Sequence, residues 1–211
     1  MSEPEIQRIN AYEDSRFSTA VLRQHGAFLA DGQPCEVEIT GRDSALVRVA
    51  SPELYTPVME AFRFYAGHIC KFYNIQGELI REYPPVAVFP VKLTAIQPSQ
   101  FYVDEDKLAA VRSFIRGPED IVVPVIPQEG RYISADGHTR LALAVEMGFE
   151  EVRGFLDEDS EYLHGFVEEA RKRGVHTPYD LKKLTHEEYT VQWDQFCDDF
   201  FARRAENDTD A

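Results

Sequence analysis

Cysteine is scarce in this chain, cations are outnumbered, and long apolar runs are missing. Each shortage closes off a class of function. The three cysteines, Cys35, Cys70 and Cys197, are scattered without CxxC spacing, so they support neither a disulfide framework nor a zinc ribbon. His25, His68, His164, His176 and His186 show no ligand spacing among themselves, which argues against a transition-metal site. No apolar run approaches the roughly 18 residues of a membrane span. The opening Met1-Ser2-Glu3-Pro4-Glu5 lacks the basic and apolar blocks of a signal peptide. These features predict a cytoplasmic protein with no membrane partner. Lys and Arg number 22 against 37 Asp and Glu, a formal net charge of -15. Duplex nucleic acid is bound through concentrated Lys and Arg, so the charge balance speaks against it as a main partner. A small phosphorylated ligand in a buried pocket needs only one or two arginines and stays compatible with an acidic exterior.

What is present is ordinary material for a folded chain of 211 residues, 44% hydrophobic and 28% charged. Its pattern predicts an α+β protein in three stretches. Residues 1–90 form an N-terminal α+β region: an antiparallel meander over about 17–50, with turns at Asp31-Gly32 and Gly41-Arg42-Asp43, then a long helix. That helix begins at Ser51-Pro52-Glu53, and Leu54, Val58, Phe62, Tyr65, Ile69 and Phe72 recur at helical spacing. Residues 91–157 alternate strand and helix. A strand over 91–96 is followed by a helix capped by Asp104. The run Ile121 to Ile126 reads as a strand whose Pro124 suggests an edge or a bulge. Arg131 to Ala135 is the next strand, and Arg140 to Met147, apolar almost all round and stopped by Gly148, is a buried helix. Residues 158–211 form a C-terminal helical extension. Ser160 opens one helix, and Thr185 with Glu188 makes a capping box for a last helix carrying Tyr189, Trp193, Phe196, Cys197 and Phe200.

The chemically pointed segment is Asp136-Gly137-His138-Thr139-Arg140. A strand that ends in Asp-Gly and feeds a helix gathers the free N–H groups of the helix's first turn where the dipole is positive. An anion fits there. Each such contribution is worth only about 0.3 to 2 kcal/mol, whereas micromolar affinity needs roughly 8 kcal/mol. Arg140 adds charge-assisted hydrogen bonds of about 1.5 to 3 kcal/mol each, His138 and Thr139 add donors, and burial of a ligand body must supply the rest. The same residues also suit a plain tight turn, with Arg140 paired to a nearby acid. Asp136 can hold Mg²⁺ together with phosphate oxygens, or brace the turn through its own backbone. His138 is a possible general base or a hydrogen-bond donor to phosphate.

Residues 91–157 also resemble the domain shared by ParB-type partition proteins, sulfiredoxins and the ParB-like free-serine kinases. The likeness lies in Ile96-Gln97-Pro98-Ser99-Gln100, in Lys107-Leu108, in Val122-Val123-Pro124-Val125-Ile126, and above all in Ala135-Asp136-Gly137-His138-Thr139-Arg140-Leu141. The resemblance implies a ParB/sulfiredoxin-like mixed α/β fold for the central stretch and a phosphate cradle at Gly137, His138, Thr139 and Arg140. Sulfinic-acid repair requires a cysteine in the phosphate turn, and His138 stands in that place. Partition proteins continue with a Glu-Asn-x-x-Arg segment and a helix-turn-helix, whereas Glu158-Asp159-Ser160-Glu161-Tyr162 follows here. The motif is closest to that of the serine kinases, whose catalytic glutamate is replaced by Gln100. A neutral amide is no general base, so Asp104 or Glu105 would have to substitute. Together these readings imply a nucleotide-binding protein, with ATP or ADP and Mg²⁺ as candidate cofactors, acting on a small-molecule acceptor or hydrolysing the nucleotide. A ParB-type nucleic-acid-binding protein and a non-catalytic interaction module are the alternatives.

Overall fold

Alternating apolar residues build the first sheet, and their inward side chains fix its register. A computed structural model describes residues 4–11 and 13–209. Its N-terminal strands and α-helices are β1 (Ile6–Arg8), α1 (Thr19–Arg23), β2 (Ala27–Ala30), β3 (Gln33–Ile39), β4 (Ser44–Arg48), α2 (Tyr55–Arg63), β5 (Lys71–Tyr73) and β6 (Leu79–Glu82). The six strands lie side by side in sequence order. Asp31 and Gly32, with φ of 48° and 76°, make the two-residue turn that pairs Ala30 with Gln33, a hairpin geometry that requires positive φ. Cys35, Val37, Ala45 and Val47 point to one face, where Val58, Met59 and Phe62 of α2 cover them.

The long helix expected over residues 54–72 is not formed. Helix α2 ends at Arg63, and Phe72 lies in β5 instead. Cys70 and Lys71 both donate their backbone N–H to the Asp43 carbonyl at 2.9 Å, and β5 then pairs with β4 in parallel, Ala45 opposite Phe72. Phe72 therefore reaches the same core as Phe62 from a strand, their rings edge-on at 6.3 Å. Because of that parallel pair the sheet is mixed, not purely antiparallel.

The second sheet carries the site. After β7 (Val88–Lys92) the expected single strand breaks at a 3-10 turn, Leu93–Ala95, and resumes as β8 (Ile96–Pro98). Then follow β9 (Tyr102–Asp104), α3 (Glu105–Arg112), β10 (Val122–Gln128), β11 (Arg131–Ser134), α4 (His138–Glu146) and β12 (Glu151–Leu156). The strand order is β7-β12-β10-β11-β8, so β10 is central and Pro124 sits at neither an edge nor a bulge. The proline is tolerated because its ladder with β11 starts one residue later, at Val125 opposite Ser134. N and O of one strand residue face the same neighbour, and the Pro124 carbonyl accepts the Ala135 N–H at 3.1 Å. The missing N–H thus falls where the ladder has already ended. Asp104 caps α3, its carboxylate accepting the Asp106 N–H at 2.8 Å.

The tail is α5 (Glu161–Lys172), β13 (Lys182–Leu184), α6 (His186–Tyr189) and α7 (Gln195–Thr209), the last two joined through a π turn at Thr190–Asp194. Ser160 precedes α5 but makes no side-chain cap bond, whereas the Thr185–Glu188 capping box is present. Strand β13 pairs in parallel with β9 in a separate two-stranded sheet, tying the tail to the segment between β8 and α3. The molecule is α+β, and among its described residues no helix is long and apolar enough to cross a membrane.

Candidate functional site

The site begins with a glycine that no other residue can replace without strain. Gly137 has φ of 82°, and a Cβ there would lie 2.6 Å from Val123 Cγ1 and 3.1 Å from Arg140 Nη2. The left-handed turn lets β11 run directly into α4, whose Leu141, Ala142, Leu143 and Ala144 are buried. The first helical bond is Leu141 N–H to the Gly137 carbonyl, 2.9 Å. The amides of His138, Thr139 and Arg140 find no acceptor among the described residues.

Arg140 folds back over this entrance. Its Nη1 donates to the Val122 carbonyl, and its Nη2 stands 3.8 Å from Asp136 Oδ2. The tight-turn reading and the ligand reading therefore meet in one residue. A guanidinium has five donors, and one carbonyl and one distant carboxylate leave most of them unused. The Asp136 side chain keeps 62% of its accessible surface and Arg140 20%. Burial alone would raise the Asp136 carboxyl, but Arg140, the Gly137 N–H and, through space, His138 and Arg8 outweigh it and hold the group below the usual carboxylate range. Asp136 is thus ionised at neutral pH.

His138 has another task. The residue is 4% exposed, and burial pushes the imidazole down to about 4 despite the opposing pull of Asp136. The neutral Nε2 accepts the backbone N–H of Ser99 and of Gln100, each at 3.2 Å, and meets the Ser99 and Ser134 hydroxyls at 3.2 and 3.1 Å. This bracing of the Ser99-Gln100 loop occupies the nitrogen that a phosphate donor or a general base would use. Gln100 is tied down as well, its Nε2 donating to the Tyr102 carbonyl and, at 3.0 Å, to the Tyr189 hydroxyl. Thr139 is half-buried and stands outside the linings of both hollows described next.

Two hollows meet at Asp136. The larger, about 440 Å³, lies between the two sheets and is lined by Asp136 and Arg140 on one side and by Arg8, Arg23, His25 and His68 on the other. Arg42, Glu119 and Asp120 also face it, but Arg42 pairs with Glu119 at 3.6 Å and Asp120 accepts the Arg116 and Gly117 amides. Among the described residues, Arg8 and Arg23 have no carboxylate within ion-pair distance. The Arg8 guanidinium lies 3.7 Å over the Tyr65 ring. Its Nε, like His68 Nδ1, is buried with no hydrogen-bond partner among the described residues, a state that costs about 1–3 kcal/mol per group unless water or a ligand meets it. His68 is pushed down to about 3 by burial and by Arg140. His25 is pushed down to about 4, by burial first and then by cations including Arg8 and Arg140. The hollow is therefore cationic through its arginines alone. Nothing in the local sequence around Arg8, Tyr65 or His68 signals this convergence.

The smaller hollow, about 160 Å³, is lined by Ser99, Gln100, His138 and the other face of Asp136, and is closed by Tyr162, Phe166, Trp193 and Phe201 from the tail. Asp104, considered as a replacement base, lies elsewhere. It is fully buried, and its two oxygens serve the Asp106 N–H and His186 Nδ1, each at 2.8 Å. Asp104, Asp106 and His186 cluster closely enough to suggest a metal, but capping and the His186 contact account for Asp104. Glu105 is exposed at the start of α3.

No protein-family model matches the chain, and no curated protein matches it. Among solved structures it is similar to protein Atu1540 from Agrobacterium tumefaciens, at 17% identity over 48% of this chain and with a TM-score of 0.34. The match spans 64% of that protein's chain.

Proposed function

We propose that the chain binds a nucleotide, with the phosphates at the α4 entrance and the rest of the ligand in the larger hollow. The observation that carries this reading is the convergence of Arg140, ionised Asp136 and Arg8, which has no carboxylate partner among the described residues, on one hollow of about 440 Å³, within the size range of small-ligand pockets. The helix start and Arg140 supply about 2 to 5 kcal/mol. Burying roughly 150 Å² of apolar ligand surface adds about 4 kcal/mol, which brings the total to the micromolar range. The left-handed Gly137 and the buried helix behind it fit the ParB/sulfiredoxin-like architecture proposed for residues 91–157.

The second hollow extends the reading to phosphoryl transfer. A small hydroxyl-bearing acceptor in the pocket beside Ser99 and Gln100 would face Asp136 from the side opposite the nucleotide. Transfer breaks the terminal P–O bond of the nucleotide and forms a new P–O bond to the acceptor oxygen. The acceptor's proton passes to the Asp136 carboxylate, the ionised group common to both hollows. Asp136 also fits as the single protein ligand of Mg²⁺, an ion that takes one or two carboxylates plus phosphate oxygens and would offset phosphate charge. Isothermal titration with ATP, ADP, CTP and GTP, with and without Mg²⁺, tests the binding. Absence of heat in every case overturns it.

A second reading keeps the binding and removes the turnover. It is favoured by Gln100, whose amide is held by Tyr102 and Tyr189 and has no basic function. Nucleotide binding without phosphate release or transfer, unchanged in Gln100→Glu, selects it.

A further inference from the structure

The N-terminal sheet is more than a lid on the larger hollow. We propose that Arg8, on edge strand β1, is a second anion-binding residue of that hollow, and that its ligand carries at least two anionic groups, one held by each lobe. The proposal rests on the nucleotide-site reading and adds to it a ligand class and a role for residues outside the central domain.

Three features support it. The Arg8 guanidinium is fixed face-on to Tyr65 at 3.7 Å, an arrangement that holds a cation in place without neutralising it. Its Nε is buried and lacks a hydrogen-bond partner among the described residues, as does His68 Nδ1 in the same lining. Arg8 and Arg140 line the same hollow and both act through space on the Asp136 carboxylate. Arg8, Arg23, Arg42 and Arg140 line the hollow against Asp136, Glu119 and Asp120, which leaves surplus positive charge, and the stacked Arg8 cannot swing away to solvent without giving up the ring. An anionic group on the ligand satisfies both the charge and the donor. A lone phosphate reaching Arg140 leaves Arg8 unmet, whereas a diphosphate, or a phosphate and a carboxylate on one small molecule, meets both.

The test compares inorganic phosphate, pyrophosphate and ADP by calorimetry on the full chain, with Arg8→Gln, Arg140→Ala and, as a charge-matched control outside the site, Arg203→Ala. Wild type and Arg203→Ala should prefer pyrophosphate to phosphate. Arg8→Gln should weaken pyrophosphate and ADP on the order of 10- to 100-fold and erase that preference, whereas Arg140→Ala should weaken all three probes. Hydrogen exchange on the wild type gives a readout that needs no variant: pyrophosphate should slow exchange in β1 as well as at the start of α4. Unchanged affinity in Arg8→Gln, or protection confined to α4, overturns the role of Arg8 and leaves the nucleotide site standing. Failure of every probe to bind the wild type removes both.

Discussion

The two hollows that meet at Asp136 are built from opposite materials. The larger collects arginines from both lobes, sets two neutral histidines among them, and leaves Arg8 Nε and His68 Nδ1 without a partner among the described residues. The smaller has aromatic walls, and its polar groups are already satisfied by one another: His138 holds Ser99 and Gln100, and Gln100 holds Tyr189. Unmet donors mark the place where a charged partner is accommodated, while satisfied ones mark the place where geometry is held. On that contrast, the proposed binding places charge recognition in the larger hollow and leaves shape to the smaller.

Substitutions at the shared entrance and on either side of it can break this contrast. Gly137→Ala should have the largest effect, about 2–4 kcal/mol in urea unfolding, because the left-handed φ and the contact with Val123 act together. Gly130→Ala, with φ of 77° but nothing within 4 Å, should cost only about 1–2 kcal/mol. Equal losses would show that close packing at the entrance is unimportant. His138→Ala should destabilise by about 2–3 kcal/mol through two amides left without an acceptor, yet leave ADP affinity near that of wild type. A collapse of ADP binding in a folded His138→Ala protein would reassign the imidazole to the ligand. Arg140→Ala should do the reverse, lowering ADP affinity on the order of 10- to 100-fold with a smaller change in melting temperature. Acid should act on all three buried rings together. His25, His68 and His138 have folded values of about 4, 3 and 4, against 6.5 for the unfolded side chain. A depressed histidine contributes stability that is complete above pH 6.5 and is lost as pH falls toward the folded value. Urea midpoints should therefore fall steadily between about pH 6.5 and 4, and His68→Gln should flatten the profile. A profile level across that interval would contradict the burial of the three rings.

Local chemistry made part of this molecule legible in the sequence. The Asp104 cap, the Thr185–Glu188 box and the stop at Gly148 each depend on residues a few positions apart, and each appears in the structure. So does the strand–turn–helix around Gly137. The misread elements depend on distant partners. Phe72 continued a helical spacing, but the pairing of β5 with β4 took it. Pro124 suggested an edge, but the register of β11 spared a central strand from needing its N–H. The larger hollow was the least visible of all, since Arg8, Tyr65, His68 and Arg140 come from separate elements and form no motif along the chain.

The parallel pairing of β13 with β9 also sets an order of events. His186 and its partner Asp104 are 82 positions apart, and a contact of that span forms only after the intervening chain has collapsed. The stretch that follows Gln100 is thus secured by residues made well after it. A nascent chain halted before Lys182 would have its central strands but lack Trp193 and Phe201, leaving the aromatic side of the Asp136 pocket open to water until those two residues are made.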